Sequence, residues 1–366
     1  GCHASETPGI MAQFEDSTMK DAGITCNNCH EVDEEYAGAI EHNGTYVLPS
    51  PSAARCAQCH EDNVDEFNQS RHGLPAYIAV IGSKDLSEDH LALYESIEEG
   101  SYSPDKSRNA IAAIEGEVMI RFTCLGCHNI GKPAEDGSVG QCQKCHLRHE
   151  FSLEQVRRPE TCGQCHIGPD HSQWEIYQES PHGVAYLTGS DDWNWDADVD
   201  KVTVEDFPAP TCAICHMGAF GDEVEATHDI GERLTWYLFA PTSTRRPNWE
   251  NNQATMQAVC SECHSSPYIE AFYEDADKAT ERVNEFVEES NEIIAPLKEQ
   301  DLLTDEPFDE PIDFLFFDIW HYWGRTAKFG VWMQGPDYAQ WHGIYELLDD
   351  MADLREEVAE KLSESE

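Results

Sequence analysis

Basic residues are scarce in this chain: 23 Lys and Arg stand against 71 Asp and Glu in 366 residues, a formal charge of −48. A phosphate backbone needs Lys and Arg to displace its counterions, so nucleic-acid binding through a basic surface is excluded. Docking to an anionic membrane leaflet falls on the same ground. No apolar run approaches the roughly 18 residues of a membrane span; the nearest, Phe314 to Trp320, is broken by Asp318. No signal peptide is visible, so any such segment lies upstream of Gly1. Period-two alternation is also scarce, which leaves little room for sheet. The charge alone would fit a disordered acidic protein, but such chains avoid the residues abundant here, 9 Trp, 13 Tyr, 14 Phe and 15 Cys.

The cysteines decide the class. Fourteen of the fifteen form seven copies of Cys-x-x-Cys-His: Cys26/Cys29/His30, Cys56/Cys59/His60, Cys124/Cys127/His128, Cys142/Cys145/His146, Cys162/Cys165/His166, Cys212/Cys215/His216 and Cys260/Cys263/His264. This is the spacing of covalent haem c attachment, in which two thioethers grip the porphyrin edge and the adjacent His reaches the iron. A single copy could be a zinc site, a redox dithiol or a disulfide. Seven copies, each with His immediately after the second Cys, point to haem. The fifteenth, Cys2, precedes His3 and reads as an eighth motif clipped at Gly1. A free thiol or a lipidated Cys is the alternative, and a processed lipoprotein would begin at the Cys itself.

Outside the motifs nine His remain: His42, His72, His90, His149, His171, His182, His228, His321 and His342. Eight haems with two axial ligands each need eight distal groups, so most of the nine are expected to be ligands. The frame aromatic-x-x-Ser-x-ligand occurs at Phe67–His72 and Tyr177–His182. It recurs at Phe14–Met19, which makes Met19 a candidate thioether ligand.

The expected fold is mainly α, with a haem-packed region over 1–265 and a haem-free helical bundle over 266–366. Short helices are expected near 62–80, 86–99, 106–120, 172–187 and 249–259. Longer ones are expected over 266–304, with Pro296 as a candidate break, and over 309–334 and 336–364. Residues 190–210 read as an acidic surface insertion, and their Asp196/Asp198/Asp200 run is a poor match to a calcium loop. The aromatic stretch 316–345 reads as core packing, with His321 and His342 as possible ligand donors.

Several runs resemble octahaem hydroxylamine oxidoreductases. They are Cys142 to Ser152, Arg158 to His171, Ser180-Pro-His182-Gly183, Thr227-His228-Asp229-Ile-Gly231 and Gly335-Pro-Asp-Tyr338-Ala-Gln-Trp341-His342-Gly343. The resemblance covers nearly the whole chain. It implies eight haems c, seven of them six-coordinate, with the fourth open for catalysis at Cys124/Cys127/His128. The ligand set it implies here is His3, Met19, His30, His42, His60, His72, His128, His146, His166, His171, His182, His216, His228, His264, His321 and His342. Met19 stands where relatives carry Ser-x-His, and that is a departure. The resemblance further implies a distal Asp and His, carried by Asp136 and His149 or by Asp170 and His171. It also implies a Tyr crosslinked to the haem of a neighbouring subunit, best matched by Tyr338, with Tyr345 and Tyr322 behind it.

The function expected is oxidation of hydroxylamine, or hydrazine, at the open haem, with electrons leaving through the others. The alternatives are a reductive enzyme acting on nitrite or hydroxylamine, and a non-enzymatic electron conduit or filament. A homotrimer, a small redox protein or second cytochrome as electron partner, and an extracytoplasmic location (periplasm, organelle lumen or cell surface) follow from the same reading.

The charge carries its own expectation. At 1 M salt the screening length falls to about 3 Å, which removes self-repulsion on an acidic surface. The thermal midpoint is expected to rise by several degrees between low and molar NaCl; a midpoint independent of salt would show that the acidic surface costs no stability.

Overall fold

The computed structural model describes residues 2–97 and 102–365. The last residues of the helix expected over 86–99 lie outside the described residues. The chain is mainly helical, and the one sheet among the described residues is the three-stranded antiparallel β1 (Glu31–Val32), β2 (Ile40–His42) and β3 (Thr45–Val47), in the order β1-β3-β2. Among the described residues no helix is long and apolar enough to cross a membrane.

The contacts divide the chain into two compact units. One holds the residues up to Thr161 with His216–Gly218 and Glu225–Glu232; the other holds Cys162–Cys215, Ala219–Val224 and Arg233–Glu366. Helix Ser266–Glu299 and the segments after it share a unit with Cys162–Cys215.

The first unit has small protein-only cores. Leu74, Ile78, Tyr94 and Val139 make one, and Val80, Ala112 and Ile120 another. The helix expected over 62–80 is two helices, Ala53–Gln69 and Leu74–Ile81. Ser70 ends the first with extended backbone, and Gly73-Leu74-Pro75 starts the second, since Pro suits a first turn whose N–H groups are unpaired anyway. His60 has non-helical dihedrals (φ −125°, ψ 46°), so the helix bends where the third motif delivers its imidazole.

The second unit has two larger cores. Helix Ser266–Glu299 buries Ile269, Tyr273, Ala276, Thr280, Val283, Phe286, Val287, Ser290, Ile294 and Leu297, a 3.6-residue stripe. Against it pack Ile312, Ile319, Ala327, Leu347, Met351, Leu354 and Val358. Pro296 does not break this helix, which runs three residues further; a proline in the last turn sacrifices a single ladder bond. The two helices expected after it are interrupted by π-helical turns at Asp318–Trp323 and Gln340–Ile344. The segment expected as an acidic surface insertion turns its apolar side chains inward. Trp195, Ala197, Val202 and Phe207 are buried with Tyr177, Tyr186 and Ile214, while Asp191, Asp192, Asp196, Asp198 and Asp200 face water.

Trp323 Nε1 donates to Asp350 Oδ2 at 2.6 Å. Burial pushes the Asp350 carboxyl up to about 6, and Asp318, Asp353 and Asp349 push in the same direction against the Trp323 bond. Its folded value lies above its unfolded value of about 3.9. The folded chain therefore binds this proton more tightly, and stability falls as pH rises from about 4 through about 6. Asp350→Asn is expected to raise the thermal midpoint at pH 7.5 by about 1–3 °C and to flatten that part of the pH–stability curve. Calorimetry at pH 5 and 7.5 checks it, and an unchanged slope would refute it.

Candidate haem-ligand and proton-transfer site

The attachment motif repeats in sequence but not in local structure. Cys26 and Cys29 lie on the short helix Cys26–His30, Cys124 and Cys127 on Cys124–His128, and Cys212 and Cys215 on Cys212–His216. Cys56 and Cys59 belong to the long helix Ala53–Gln69, where Cys59 is exposed. Cys260 falls near the end of helix Trp249–Ser261, and Cys263 is exposed in the turn beyond it. Cys145 and Cys165 depart from the helical frame. Each is half-buried in a turn, its N–H donating to the carbonyl of the first cysteine of its motif, Cys142 at 3.2 Å and Cys162 at 3.1 Å. No disulfide joins any of the fifteen cysteines, so the disulfide reading of the motif is not realised. Cysteines of different motifs do meet. Cys56 and Cys142 are within side-chain hydrogen-bond reach, as are Cys162 and Cys212. These contacts are made by the first cysteine of each motif.

Two imidazoles bound to opposite faces of one metal through bonds of about 2 Å have ring centroids roughly 6.3 Å apart. Three pairs in the first unit match that separation: His3–His42 at 5.8 Å, His30–His149 at 6.3 Å and His146–His228 at 6.3 Å. In the second unit His182–His264 stand 6.0 Å apart and His166–His171 6.4 Å. Rings in direct contact sit closer, as Phe317 and His321 do at 4.1 Å. Apart from His166–His171, whose rings meet edge-on at 63° and which lie close in sequence, the paired rings are thus held one metal atom apart, and each pair includes one motif His.

The surroundings prepare these imidazoles to be ligands. His30 Nδ1 lies 2.6 Å from the Leu48 carbonyl and His128 Nδ1 2.8 Å from that of Ala76. A carbonyl there places the proton on Nδ1 and leaves Nε2 as the donor to iron. Burial keeps the rings neutral: it lowers His146 to about 4, with His228 and His60 adding to it, and it also lowers His149, His182 and His228. Gly183, next to His182, is obligatory, since a Cβ there would lie 1.6 Å from the Tyr177 carbonyl oxygen. Beside the fourth motif Ile114, Val118, Met119 and Phe122 are exposed, an apolar face of the kind a porphyrin covers.

Other expected ligands have different settings. Met19 is half-buried on helix Thr18–Asp21, and the ring opposite His30 is His149, so no thioether is needed there. His72 sits in the turn after helix Ala53–Gln69, its N–H donating to Ser70 Oγ. His216 ends helix Cys212–His216. His90, never assigned a role, places Nε2 2.7 Å from the Gly137 carbonyl. His342 is exposed on the second π-helical turn, with Nδ1 2.9 Å from Asp337 Oδ2 and its ring stacked on Tyr338 at 4.8 Å. A carboxylate at Nδ1 is the usual support of a metal-binding imidazole, which then binds through Nε2.

The first of the two expected Asp–His pairs is not assembled as a base. Asp136 accepts from Tyr36 (2.6 Å), Ser52 and Ser138, linking three loops. Burial would raise its carboxyl, but these bonds outweigh burial and hold it at about 2, a weak base near neutral pH. Its intended partner His149 stands opposite His30.

The second pair is assembled. Asp170 Oδ2 lies 2.5 Å from His171 Nδ1, 3.8 Å from His321 Nδ1 and 3.8 Å from Arg325 Nη1. Burial opposes the Asp170 charge, yet His171, His321 and Arg325 bring its carboxyl below the ordinary value. Arg325 Nη1 stands 2.9 Å from His321 Nε2, so that nitrogen is engaged by a guanidinium and is not directed at iron. Burial, then Arg325, lowers His321 to about 3. Phe239 packs against His171, the rings tilted by 41° with centroids 5.0 Å apart. Its strap is held by Arg325 and by buried Lys328, whose Nζ donates to Ser243 Oγ at 2.7 Å. Burial brings Lys328 down to about 7. Sequence reasoning missed Arg325, Lys328 and Phe239; the available signal was two cations in the otherwise apolar helix Gly324–Trp332.

Comparison with known proteins agrees with this geometry. Residues 20–311 match the family described as seven times multi-haem cytochrome CxxCH. A probable nitrite reductase-hydroxylamine oxidoreductase fusion protein of Kuenenia stuttgartiensis is 25% identical over 85% of this chain and 39% of its own length. The C-type polyheme cytochrome OmcB of Geobacter sulfurreducens is 24% identical over 45% of this chain and 24% of its own. The chain therefore spans well under half the length of either relative. A solved hypothetical multiheme protein superposes with a TM-score of 0.84 at 22% identity, over 100% of this chain and 94% of that one. A reducing HAO-like protein complex of Kuenenia stuttgartiensis gives 0.71 at 18% identity, over 100% and 84%. With seven complete attachment motifs and imidazole pairs held one metal atom apart, the chain belongs to the multi-haem cytochrome CxxCH family and is a redox protein carrying covalently bound haem c.

Proposed function

We propose that the protein oxidises hydroxylamine, or hydrazine, and disperses the electrons through haems held by imidazole pairs. The observation that carries this reading is the half-buried Asp170–His171 pair, backed by His321 and Arg325. A cytochrome that only relays electrons needs axial ligands and their carboxylate supports; it does not need a second imidazole and a guanidinium gathered on the same carboxylate. Removing electrons from an N–H or O–H compound releases protons, and an acceptor near neutral pH must take them.

Bound haem supplies a substrate-binding iron and the one-electron carriers. The family resemblance assigns the open iron to the haem of Cys124, Cys127 and His128. Eight haems are expected, the eighth at Cys2 and His3, whose ring stands 5.8 Å from His42. The pairs His30–His149, His146–His228 and His182–His264 hold electron-carrying haems. The proton acceptor is His171: Asp170 holds Nδ1 and stabilises the charge that forms when Nε2 takes a proton, the logic of an Asp–His dyad. His171 is better suited to this role than to ligation opposite His166. Only four residues separate them, and the path is shortened by a turn bond from His171 N–H to the Gly168 carbonyl, which is too short a path round a porphyrin edge. His342, with Asp337 at Nδ1, remains a ligand candidate. Tyr338, stacked on His342, is the candidate for the crosslink to a neighbouring subunit, which would require the trimer. An extracytoplasmic location follows from where haem c is attached.

Two other readings have specific support. The likeness to a reducing HAO-like complex and to a nitrite reductase fusion favours reduction of nitrite or hydroxylamine. The partial likeness to a polyheme cytochrome favours a pure conduit.

Turnover of hydroxylamine with an electron acceptor is expected for the haem-loaded protein. Asp170→Asn and His171→Ala are each expected to lower kcat by about 10²-fold or more at unchanged haem content. Nitrite turnover with reduced viologen and no hydroxylamine oxidation would establish the reductive reading. Absence of turnover in both directions, with every haem six-coordinate, would establish the conduit.

A further inference from the structure

Arg325 is buried, and each of its three guanidinium nitrogens has an acceptor. Nε and Nη2 donate to the Phe239 carbonyl at 2.9 and 2.6 Å, and Nη1 donates to His321 Nε2 at 2.9 Å. The guanidinium lies between the Phe239 ring (5.0 Å from His171, 5.2 Å from Arg325 Cζ) and the Trp320 ring (5.0 Å). Two structures that bear on His171 thus share this one side chain. Phe239 walls its ring, and His321 faces its carboxylate partner.

We propose that Arg325 is a positioning residue for the Asp170–His171 pair, acting through His321 on one side and Phe239 on the other. This rests on the assignment of Asp170–His171 as the proton-accepting pair.

Accepting from Arg325 at Nε2 places the His321 proton on Nδ1. That N–H is buried, has no hydrogen-bond partner, and lies 3.8 Å from Asp170 Oδ2. Asp170 Oδ2 therefore faces the N–H of His321 and the guanidinium on one side and His171 at 2.5 Å on the other. Rotation of the carboxylate away from His171 would bury a negative charge without its partners, which is costly. On the far side, Phe239 blocks the swing of the His171 ring. Its backbone is gripped by two bonds from one planar group, a geometry an ammonium cannot reproduce. His321 and Arg325 are four residues apart, at the end of the π-helical turn, so the helix presents both to one place.

The test is steady-state oxidation of hydroxylamine by the haem-loaded protein, per covalent haem, for Arg325→Lys, His321→Ala, His321→Gln and Asp170→Asn. Arg325→Lys and His321→Ala are expected to lower kcat about tenfold with KM within about twofold, since a misplaced base slows the reaction without weakening substrate binding. His321→Gln is expected to recover most of the loss, because its amide offers an acceptor to Arg325 and a donor to Asp170. Should Arg325→Lys fail to load haem, the His321 Ala and Gln pair decides. Wild-type kcat in Arg325→Lys and His321→Ala, with Asp170→Asn impaired, would overturn the positioning role while leaving the Asp170–His171 assignment intact. Wild-type kcat in Asp170→Asn as well would remove that assignment and the proposal with it.

Discussion

An iron between two imidazoles fixes a distance that the protein must supply with backbone. The rings of His30 and His149, or of His146 and His228, cannot touch and cannot part; each pair is kept a metal atom's width open. Most of the surrounding chemistry serves that gap. Carbonyls of Leu48 and Ala76 set the tautomers of His30 and His128, burial holds the rings neutral, and the bend at His60 aims an imidazole that a straight helix would carry elsewhere. The protein adds little covalent chemistry of its own. It selects which nitrogen points at the metal and in which charge state.

The same side-chain type does two other jobs in the second unit, and the difference lies in what occupies each ring nitrogen. His321 has its Nε2 engaged by Arg325 and serves as a neutral spacer against Asp170. His171 commits Nδ1 to Asp170, so a proton it exchanges must pass through Nε2. Placing a guanidinium, two imidazoles and a carboxylate together in a partly buried setting is tolerable because the cation and both imidazoles favour the one carboxylate's charge, and Asp170 stays ionised despite its partial burial.

The attachment chemistry was fully legible in the sequence, because Cys-x-x-Cys-His is a local code that depends on no distant residue. What the code leaves open is the backbone beneath it: Cys59 rides a long helix, whereas Cys145 and Cys165 sit in turns. The helical character of the C-terminal third was legible for a similar reason, as the stripe from Ile269 to Leu297 repeats along one element. Distal ligands are long-range choices. Pairing His30 with His149, or His146 with His228, joins positions far apart, and neither composition nor spacing encodes the match. Asp136 and Asp170 look equivalent as letters. One is consumed by Tyr36, Ser52 and Ser138, the other faces His171, and only the fold distinguishes them. The segment 190–210 misled for a simpler reason: its Asp outnumber its aromatics, but Trp195 and Phe207 decide where it goes.

The small apolar cores of the first unit bear on how the protein is made. Leu74, Ile78, Tyr94 and Val139, with Val80, Ala112 and Ile120, are few residues to drive the collapse of so long a segment. Covalently held porphyrins would add apolar mass to that interior. A unit that relies on them for its packing would compact fully only once they are attached, so the order of maturation would be tied to the amino-acid sequence. The bundle built on Ser266–Glu299 carries its own interior and is free of that timetable.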